Sequence, residues 1–466
     1  MDLSQKKLLM IGGYAYADHL KKYKAETGFK VIAVGRSLDS REEGLTDNHY
    51  YVDRTDVQGI IDVVKKESVD GIFVGSSEAY VNIAIDVCEQ TGARFYVERK
   101  QWGIVSNKAK FKEFARLSGF PVIPEYKLSF NPTQEELSAL EFPVMIKPVD
   151  SSGARGLNPC YRLEDFMPLY EEALRWSPSK NVIVESLITG AQDICVCYTI
   201  QDGESTLSYA FSKDVVRSEK NYVSLPLFHL YPSRFIEQYR KEADDAAKQM
   251  IHRMGLKNGT INLQGFYKDN HFFFYEAGYR MGGAQAYILT EYMNGSNVLN
   301  YMINYVLTGS MSDERLSSRE DANFPYPCCN YYVELKAGTI GHIEGIEEVK
   351  AMNYVLNVTQ MCHEGDVIFE TNEIGRAIYR IHVVGKNMEE LAHNLVSISQ
   401  TLRIISKEGY EMQIEPLEYE RCLDTIRKNV VIVNHSSLNY NKQNRSILNI
   451  NELRGGGVFT RRLKDK

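Results

Sequence analysis

The chain has 466 residues, more than one hydrophobic core usually organises, so we expect about two to four domains. Its formal net charge is −7 and no block of like charge is long enough for a nucleic-acid-binding arm, so no nucleic acid partner is expected. No apolar run approaches the ~20 residues of a membrane span, and the eight cysteines are scattered without a CxxC pair. These features predict a cytoplasmic protein without a membrane partner, a disulfide framework or a zinc site.

Residues 1–105 show alternating strands and helices. Strands are predicted at 7–11, 29–34, 71–74 and 93–97, with helices between them. The first apolar run is short and lacks a cleavage site, so it is predicted to be a strand and not a signal peptide. This order indicates a doubly wound parallel sheet. Gly12-Gly13 is predicted to form a tight turn, because the spaced glycines of a dinucleotide site are incomplete.

Residues 106–324 continue with a mixed pattern. Ser106 is expected to cap a helix that stops at Gly119, and Ser233 is expected to cap a long helix that ends near Gly255. The other predicted elements are strands at 143–147, 181–186, 194–200 and 207–213, a polar glycine loop at 150–156, and a helix at 296–307.

Residues 325–420 mix short strands with a helix predicted at 388–405, which indicates a small α+β domain. Residues 421–466 are rich in Asn, Lys and Arg and contain Gly-Gly-Gly at 455–457. A poorly ordered or partner-dependent tail is therefore expected there. The predicted fold class is α/β plus α+β, with domain boundaries near residues 105, 324 and 420.

The segment 259–287 predicts a β-hairpin with its turn at Lys268-Asp269-Asn270. Gln264 lies on the first strand and Glu276 ends the second, so they fall directly opposite each other or one register step apart. Oxygen ligands on neighbouring strands, with the cation of Arg280 nearby, suit Mg²⁺ and a nucleotide triphosphate. An ordinary hairpin that ends in a carboxylate is the alternative.

Lys147 closes a strand just before the Ser/Gly loop. Small residues let backbone N–H groups approach anionic oxygens, and a lysine at the strand end adds a point charge. Lys108, at the start of its helix, could share that task, although a surface lysine and a mobile turn would explain the same residues. Glu185 ends the apolar strand VIVE, and either it or Asp193 could be a structural strand-end carboxylate.

The order of these motifs along the chain resembles the order found in the ATP-grasp superfamily. Lys108 precedes Lys147, and then follow SSGARG, VIVESLITGAQD and the NLQ…YEAGYR hairpin. Specific points are the NK start of the helix that ends at GFPVIP, the run FPVMIKPVDSSGARG, and the E…R pair after the hairpin. The resemblance covers residue 1 to about residue 310. It implies an N-terminal parallel-sheet domain, an ATP-grasp fold and a small C-terminal α+β domain, with ATP and Mg²⁺ as cofactors.

The resemblance assigns the nucleotide contacts residue by residue. The residues that would contact the phosphates are Lys108 and Lys147. The loop that would close over the phosphates runs from residue 151 to 156 and includes Ser151, Ser152, Gly153 and Gly156. The residues that would hold adenine and ribose are the hinge Glu185, Ser186 and Leu187 and the ribose acceptor Asp193.

The resemblance assigns metal binding and phosphoryl transfer to residues of the hairpin. The resemblance implies that Glu276 is a Mg²⁺ ligand and that Arg280 faces the transferred phosphoryl group, so Arg280 and Lys147 are the predicted catalytic residues. Gln264 stands where the superfamily usually has Glu, but its amide oxygen can still coordinate Mg²⁺. Gly278 stands where Asn is frequent, so one of two metals could bind weakly.

The C-terminal runs GTIGHIEGIEEVKAM and IYRIHVVGKNMEELAHNLV, together with Arg280-Met281-Gly282-Gly283, are similar to carboxylate–amine ligases, especially L-amino-acid (dipeptide) ligases. This branch implies an enzyme that joins a small carboxylic acid to an amine through an acyl phosphate. Its partners would be these small molecules, and a homodimer is one expected assembly.

Two other functions remain open from the sequence. Carboxylases that activate bicarbonate have a similar segment, and they would share every ATP-binding residue. Gln264 and Gly278 also fit an ATP-binding regulatory protein with an incomplete metal site. No general base stands out: His229 could reach the cleft, but a packed or surface histidine is the favoured interpretation.

Overall fold

The structure is a computed structural model that describes residues 2–37, 40–151, 155–217, 224–369, 377–414 and 416–432. Its N-terminal strands are β1 Lys7–Met10, β2 Lys30–Val34, β3 Asn48–Tyr50 and β4 Gly71–Phe73. The helices of this region are α1 Ala17–Thr27, α2 Val57–Glu67, α3 Glu78–Thr91 and α4 Arg99–Val105. All neighbouring strands are parallel, in the order β3-β2-β1-β4, so the predicted parallel sheet is confirmed.

The prediction of a strand at 93–97 is wrong. Arg94 forms only an isolated parallel bridge with Gly71, in which its N–H bonds the carbonyl of Asp70 and its carbonyl accepts from Ile72. The chain then turns into α4, which leaves no room for a longer ladder. The short strand β3 was not predicted, because its three residues carry no apolar alternation.

The carboxyl ends of β1 and β4 meet at the point where the strand order reverses. Gly12 and Gly13 have φ angles of 90° and 91°, which suits the predicted tight turn. A Cβ atom on Gly75, just after β4, would lie 2.8 Å from the Cα atom of Gly13. Ligands of open α/β sheets bind in crevices at such reversal points.

A second, antiparallel sheet follows, with strands in the order β5-β8-β6-β7. Its strands are β5 Glu125–Tyr126, β6 Val144–Pro148, β7 Asn158–Cys160 and β8 Val182–Ser186. The helices around it are α5 Lys108–Leu117, α6 Gln134–Ser138 and α7 Phe166–Trp176. We call residues 125–187 the small-sheet lobe. It packs its own apolar cluster around Val144, Phe166 and Val184, separate from the core of the N-terminal region.

The predicted cap of α5 is wrong by one residue. Asn107 caps this helix, because its side-chain oxygen accepts a hydrogen bond from the N–H of Lys110 at 3.1 Å. The hydroxyl of Ser106 instead donates to the carbonyl of Trp102, at the end of α4. Gly119 follows the helix with a φ of 71°, as expected for a helix stop.

The largest sheet has eight strands in the order β13-β12-β9-β10-β11-β14-β18-β16. The strands that come first in the chain are β9 Gln192–Gln201, β10 Glu204–Arg217, β11 Ser224–Tyr231, β12 Gly259–Lys268 and β13 His271–Tyr279. The strands that follow are β14 Cys328–Glu334, β15 Gly338–Glu344, β16 Val355–Gln360, β17 Val367–Ile368, β18 Ala377–Val384 and β19 Arg403–Ser406. The predicted boundary near residue 324 therefore falls between strands of one continuous sheet, and β17-β15-β19 form a small sheet beside it.

The helices that cover these sheets are α8 Ile236–Glu242, α9 Asp244–Arg253, α10 Tyr287–Asn294, α11 Val298–Thr308, α12 Ile346–Ala351, α13 Met388–Thr401 and α14 Tyr419–Asn429. The prediction of one long helix after Ser233 is wrong, because Ala243 leaves helical geometry at a φ of −135° and separates α8 from α9. The helix predicted at 388–405 stops earlier, because its last residues pair with β15 as β19.

Part of the tail that was predicted after residue 420 is folded. Residues 419–429 form α14, in which Cys422, Leu423 and Ile426 are buried against the C-terminal apolar cluster. This spacing places the three side chains on one face of a helix. The rest of the predicted tail, from residue 433 onward, lies outside the described residues.

A buried carboxylate beside the large sheet makes stability depend on pH. Glu320 accepts hydrogen bonds from the hydroxyls of Thr199, Ser208 and Ser296 at 3.1, 2.6 and 2.9 Å. Burial raises the pKa of Glu320, and the three hydroxyl donors only partly oppose that shift. A raised pKa means that the folded state holds the proton more tightly than the unfolded chain. This contribution to stability is therefore present below the unfolded pKa of ~4.3 and lost as the pH rises through the folded pKa.

We expect Glu320→Gln to remove this dependence, because glutamine keeps the size and one acceptor oxygen but cannot ionise. The melting temperature of the variant relative to wild type should rise between pH 4 and pH 8, as measured by thermal unfolding across that range. Glu171→Gln, at an exposed position of α7, is the matched control. An identical difference from wild type at both ends of the range would show that Glu320 does not titrate in this way.

Candidate active site

A cavity of about 170 Å³ opens between the large sheet and the start of α3. Its walls combine charged groups with aromatic rings and small residues. The acidic, basic, imidazole and amide side chains that line it are Glu78, Lys213, His229, Asn262, Gln264, Glu276 and Arg280. The predicted metal ligands and Arg280 therefore share one cavity.

The hairpin places Gln264 and Glu276 directly opposite each other on β12 and β13. Its turn consists of Asp269 and Asn270, with φ angles of 49° and 62°, as two-residue hairpin turns of type I′ require. A bulge follows Gln264, so the pairing shifts by one residue beyond it. The turn and the bulge thereby set the register that the sequence left open.

Gln264 links a cation to an anion inside the cavity. Its amide oxygen Oε1 accepts a hydrogen bond from Lys213 Nζ at 2.6 Å, and its Nε2 donates to Glu276 Oε1 at 2.8 Å. The Tyr275 hydroxyl lies 3.5 Å from the same amide oxygen. Lys213, on β10, was not predicted, because nothing near it in the sequence links it to the hairpin.

Arg280 reaches the N-terminal region. Its Nε and Nη2 atoms donate to Glu78 Oε1 at 3.1 and 2.9 Å, and its Nη1 donates to the carbonyl of Met281. Glu78 is the first residue of α3, at the reversal point of the parallel sheet. The sequence shows Gly75-Ser76-Ser77-Glu78 after a predicted strand, which was the available signal for this residue.

Lys147 and Glu185 form a buried ion pair, and Glu185 also pairs with Lys112 through its other oxygen. Lys112 is fully buried and donates to the carbonyl of Ile123 at 3.0 Å. Burial by itself would raise the pKa of Glu185, but Lys147 and Lys112 outweigh it and hold this pKa below its usual value. Glu185 is therefore an anion between two ammonium groups. Lys112 was not predicted, although it lies one helical turn after Lys108.

The two lysines that are predicted to bind phosphates lie near the hairpin. Lys147 Nζ lies 5.6 Å from the centre of the Tyr275 ring, next to Glu276 in the chain. Lys108 Nζ donates to the carbonyl of Ser151 at 2.7 Å, and burial lowers the pKa of Lys108, with Lys147 acting in the same direction. Glu276 acts on the Lys108 pKa in the opposite direction. The lysines and the hairpin carboxylate therefore lie in one electrostatic region.

Only part of the predicted phosphate loop can be described. Ser152 and Gly153 lie outside the described residues, whereas Ser151 and Gly156 lie inside them. Gly156 has a φ of 73°, and a Cβ atom there would lie 2.8 Å from the Cβ atom of Trp176. A larger residue would therefore be strained at the end of this loop.

The predicted hinge is built into the small-sheet lobe. The N–H groups of Ser186 and Leu187 donate to the carbonyls of Pro124 and Pro143, at 3.0 and 3.1 Å. Among the described residues, none accepts a hydrogen bond from the N–H of Ile188, the next residue. Asp193 is buried at the start of β9, opposite Lys213 on β10.

His229 lines the cavity, so the favoured interpretation of a packed or surface histidine is incomplete. Its ring stacks on Phe211 with centroids 4.4 Å apart, and its Nδ1 lies 3.3 Å from the Tyr332 hydroxyl. Burial lowers the pKa of His229 well below its usual value, and Lys213 and Arg380 act in the same direction. The imidazole is therefore neutral at physiological pH and can exchange hydrogen bonds without adding charge.

The loop after Arg280 contributes small residues to the cavity wall. Gly282, Gly283 and Ala284 line it. No described residue accepts a hydrogen bond from their three N–H groups. The side chains that hold their carbonyls are Tyr16 on Gly282, Arg380 on Gly283, and Asn330 and His382 on Ala284. Consecutive N–H groups with engaged carbonyls suit an anionic oxygen.

Comparison with known proteins shows which class of protein the chain is similar to. Residues 107–310 match the family model of the ATP-binding domain of the carbamoyl-phosphate synthase L chain. A formate-dependent phosphoribosylglycinamide formyltransferase of Prochlorococcus marinus is 26% identical over 188 residues, which cover 40% of this chain and 48% of that protein. The chain thus matches about half the length of this relative.

Two solved structures have the same fold over most of the chain. The biotin carboxylase domain of Hydrogenobacter thermophilus 2-oxoglutarate carboxylase has a TM-score of 0.71 at 17% identity, covering 88% of this chain and 91% of that one. The L-amino acid ligase of Bacillus licheniformis has a TM-score of 0.69 at 17% identity, covering 86% and 99%. At this identity the likeness concerns the fold.

The chain therefore contains an ATP-grasp domain, and the predicted fold class is confirmed. The nucleotide-binding part of that domain is the stretch 107–310, which matches the model of the carbamoyl-phosphate synthase L chain ATP-binding domain. ATP and Mg²⁺ are the cofactors of this class, as predicted. Glu276 fits this need, because Mg²⁺ usually takes one or two carboxylates and completes its ligands with phosphates and water. None of the helices in the described ranges is long and apolar enough to cross a membrane.

Proposed function

We propose that the protein is an ATP-dependent carboxylate–amine ligase that forms an amide or peptide bond from an amino acid or a related small acid. The observation that carries this proposal is the row of N–H groups at Gly282, Gly283 and Ala284, in the same cavity as Glu276 and Arg280. Such a row suits a carboxylate, and the neighbouring hairpin suits the terminal phosphate of ATP.

The aromatic part of the cavity lining favours an acid with an uncharged side chain over bicarbonate. Tyr209, Phe211 and the neutral His229 form a part of the cavity wall without net charge. An acid with a small uncharged side chain would fill this space.

The nucleotide would lie between the small-sheet lobe and the hairpin. We assign its phosphates to Lys108, Lys147 and the loop at 151–156, and its ribose to Asp193. Because the N–H groups of Ser186 and Leu187 are used within the lobe, the N–H of Ile188 and the hinge carbonyls would recognise the adenine edge.

The proposed reaction has two steps. A carboxylate oxygen of the acid attacks the γ-phosphorus of ATP, the bond to the ADP oxygen breaks, and an acyl phosphate forms. The amine then attacks the acyl carbon, the carbon–oxygen bond to phosphate breaks, and the amine proton passes to the departing phosphate. Arg280 and the N–H row would hold the charge that develops on the transferring oxygens. Mg²⁺ bound at Glu276 would withdraw charge from the phosphates.

Reduced thiols support a cytoplasmic location as part of this proposal. All eight cysteines lie within the described residues and none forms a disulfide. Free cysteines in this number are typical of a reducing compartment. A homodimer stays a proposal that gel filtration with light scattering would test.

The test is a phosphate-release screen with Mg-ATP and pairs of amino acids, followed by mass spectrometry of the products. We expect release only with a matching acid and amine, together with a product whose mass equals their sum less one water. Release stimulated by bicarbonate alone would favour the carboxylase alternative. Tight ATP binding without ADP formation in any mixture would favour a regulatory protein.

A further inference from the structure

The contact between Lys213 and Gln264 determines how the amide of Gln264 is oriented. A lysine ammonium carries only donors, and an ionised carboxylate carries only acceptors. With Lys213 Nζ at 2.6 Å on one side and Glu276 Oε1 at 2.8 Å on the other, the oxygen must face the lysine and the NH₂ group must face the glutamate. The reverse orientation would set two donors against each other.

This orientation leaves no amide oxygen for a metal ion beside Glu276. To share a metal ion with Glu276, Gln264 would have to turn its oxygen away from Lys213 and its NH₂ group toward the ammonium. The residues present therefore fit one metal ion at Glu276 and do not fit a second ion at Gln264. This differs from the role that the sequence suggested for Gln264.

The charges of the two arrangements are nevertheless equal. A divalent ion beside a carboxylate contributes +2 and −1, which leaves +1. A lysine ammonium beside a neutral amide also contributes +1. The exchange thus keeps the positive charge that a triphosphate needs, in the same cavity as Glu276 and Arg280.

We propose that the ammonium of Lys213, held by Gln264, takes the place of one of two divalent ions, so that the chain binds a single Mg²⁺ with each nucleotide. Lys213 would then contact the terminal phosphate and act as a catalytic residue. This proposal rests on the proposed function only for the turnover that it predicts. The count of metal ions depends on nucleotide binding alone.

The test counts Mn²⁺ ions bound with a non-hydrolysable ATP analogue, adenylyl imidodiphosphate, by electron paramagnetic resonance. Wild type should bind one ion per bound analogue. The double variant Lys213→Met/Gln264→Glu should bind two, because it restores the second carboxylate and removes the ammonium. Lys213→Met alone should still bind one ion and lose phosphate release by about 10²–10³-fold, the usual effect of deleting one preorganised charge-stabilising group.

Two further variants keep the result readable. Gln264→Glu alone should bind one ion, because the new carboxylate pairs with Lys213. This single variant still provides an ion count if the double variant no longer binds the analogue. Lys257→Met, at an exposed position before β12, should match wild type in both measurements. Two ions in wild type, one ion in a folded double variant, or full turnover in Lys213→Met would each overturn the proposal. If no acid–amine pair supports turnover in wild type, the proposed function fails while the ion counts still decide this inference.

Discussion

Replacing Arg280 by alanine is expected to lower ATP-dependent turnover by about 10²–10³-fold while nucleotide binding persists. Arg280 lines the same cavity as Glu276 and the N–H row, where charge would develop during phosphoryl transfer. Adenine, ribose and the first phosphates would be held by other groups, so their binding does not require this side chain. Single-turnover phosphate release and calorimetric titration with ADP would separate the two effects.

Two further variants, Arg280→Lys and Arg253→Ala, test whether the loss of turnover is specific to the side chain of Arg280. The lysine variant keeps the charge but loses the fork that donates twice to Glu78, so we expect only partial recovery of turnover. Arg253, exposed at the end of α9, should tolerate alanine without loss. The role given to Arg280 is wrong if its alanine variant turns over at the wild-type rate.

Replacing Lys112 by methionine is expected to lower the free energy of unfolding by about 3 kcal/mol. Removing one partner of a buried ion pair typically costs about 3–5 kcal/mol, because the remaining charge is left uncompensated. Here the lower end is expected, since Lys147 still pairs with Glu185. The carbonyl of Ile123 would also lose its donor. Urea unfolding would measure the change.

The control is Lys110→Met, at an exposed position of the same helix, where a change within about 0.5 kcal/mol is expected. If Lys112→Met matched that control, Lys112 would not stabilise Glu185. The dissociation constant of the Lys112→Met variant for ADP is a second measurement. It shows whether Lys147 then remains paired with Glu185 and binds the phosphates of the nucleotide less tightly.

Local patterns predicted the hairpin well. Apolar runs, the Asp269-Asn270 turn and the position of Glu276 were all in one segment, so short-range rules were sufficient. The strand β6 and Lys147 near its end were found for the same reason. The error at Ser106 was also local, because Ser106 and Asn107 are equally good caps and only the backbone decides between them.

Contacts between distant segments could not be predicted. Glu78 and Arg280 are 202 residues apart, and Lys213 and Gln264 are 51 residues apart. No rule of periodicity or turn chemistry relates such segments. The first contact joins the start of α3 to the residue after β13, and the second joins two strands that are separated by β9 in the eight-stranded sheet. The helix α14 was missed for another reason: its apolar face spans only three residues within a polar composition.

The loop at residues 282–284 is held from both ends of the chain. Tyr16 of the N-terminal region anchors one carbonyl, while Arg380, His382 and Asn330 anchor the next two. All four anchors lie outside residues 107–310, the part that the family model matches. An excised fragment of residues 107–310 would therefore keep the hairpin but lose the side chains that hold this loop, so the shape of this cavity wall depends on residues near both ends of the chain.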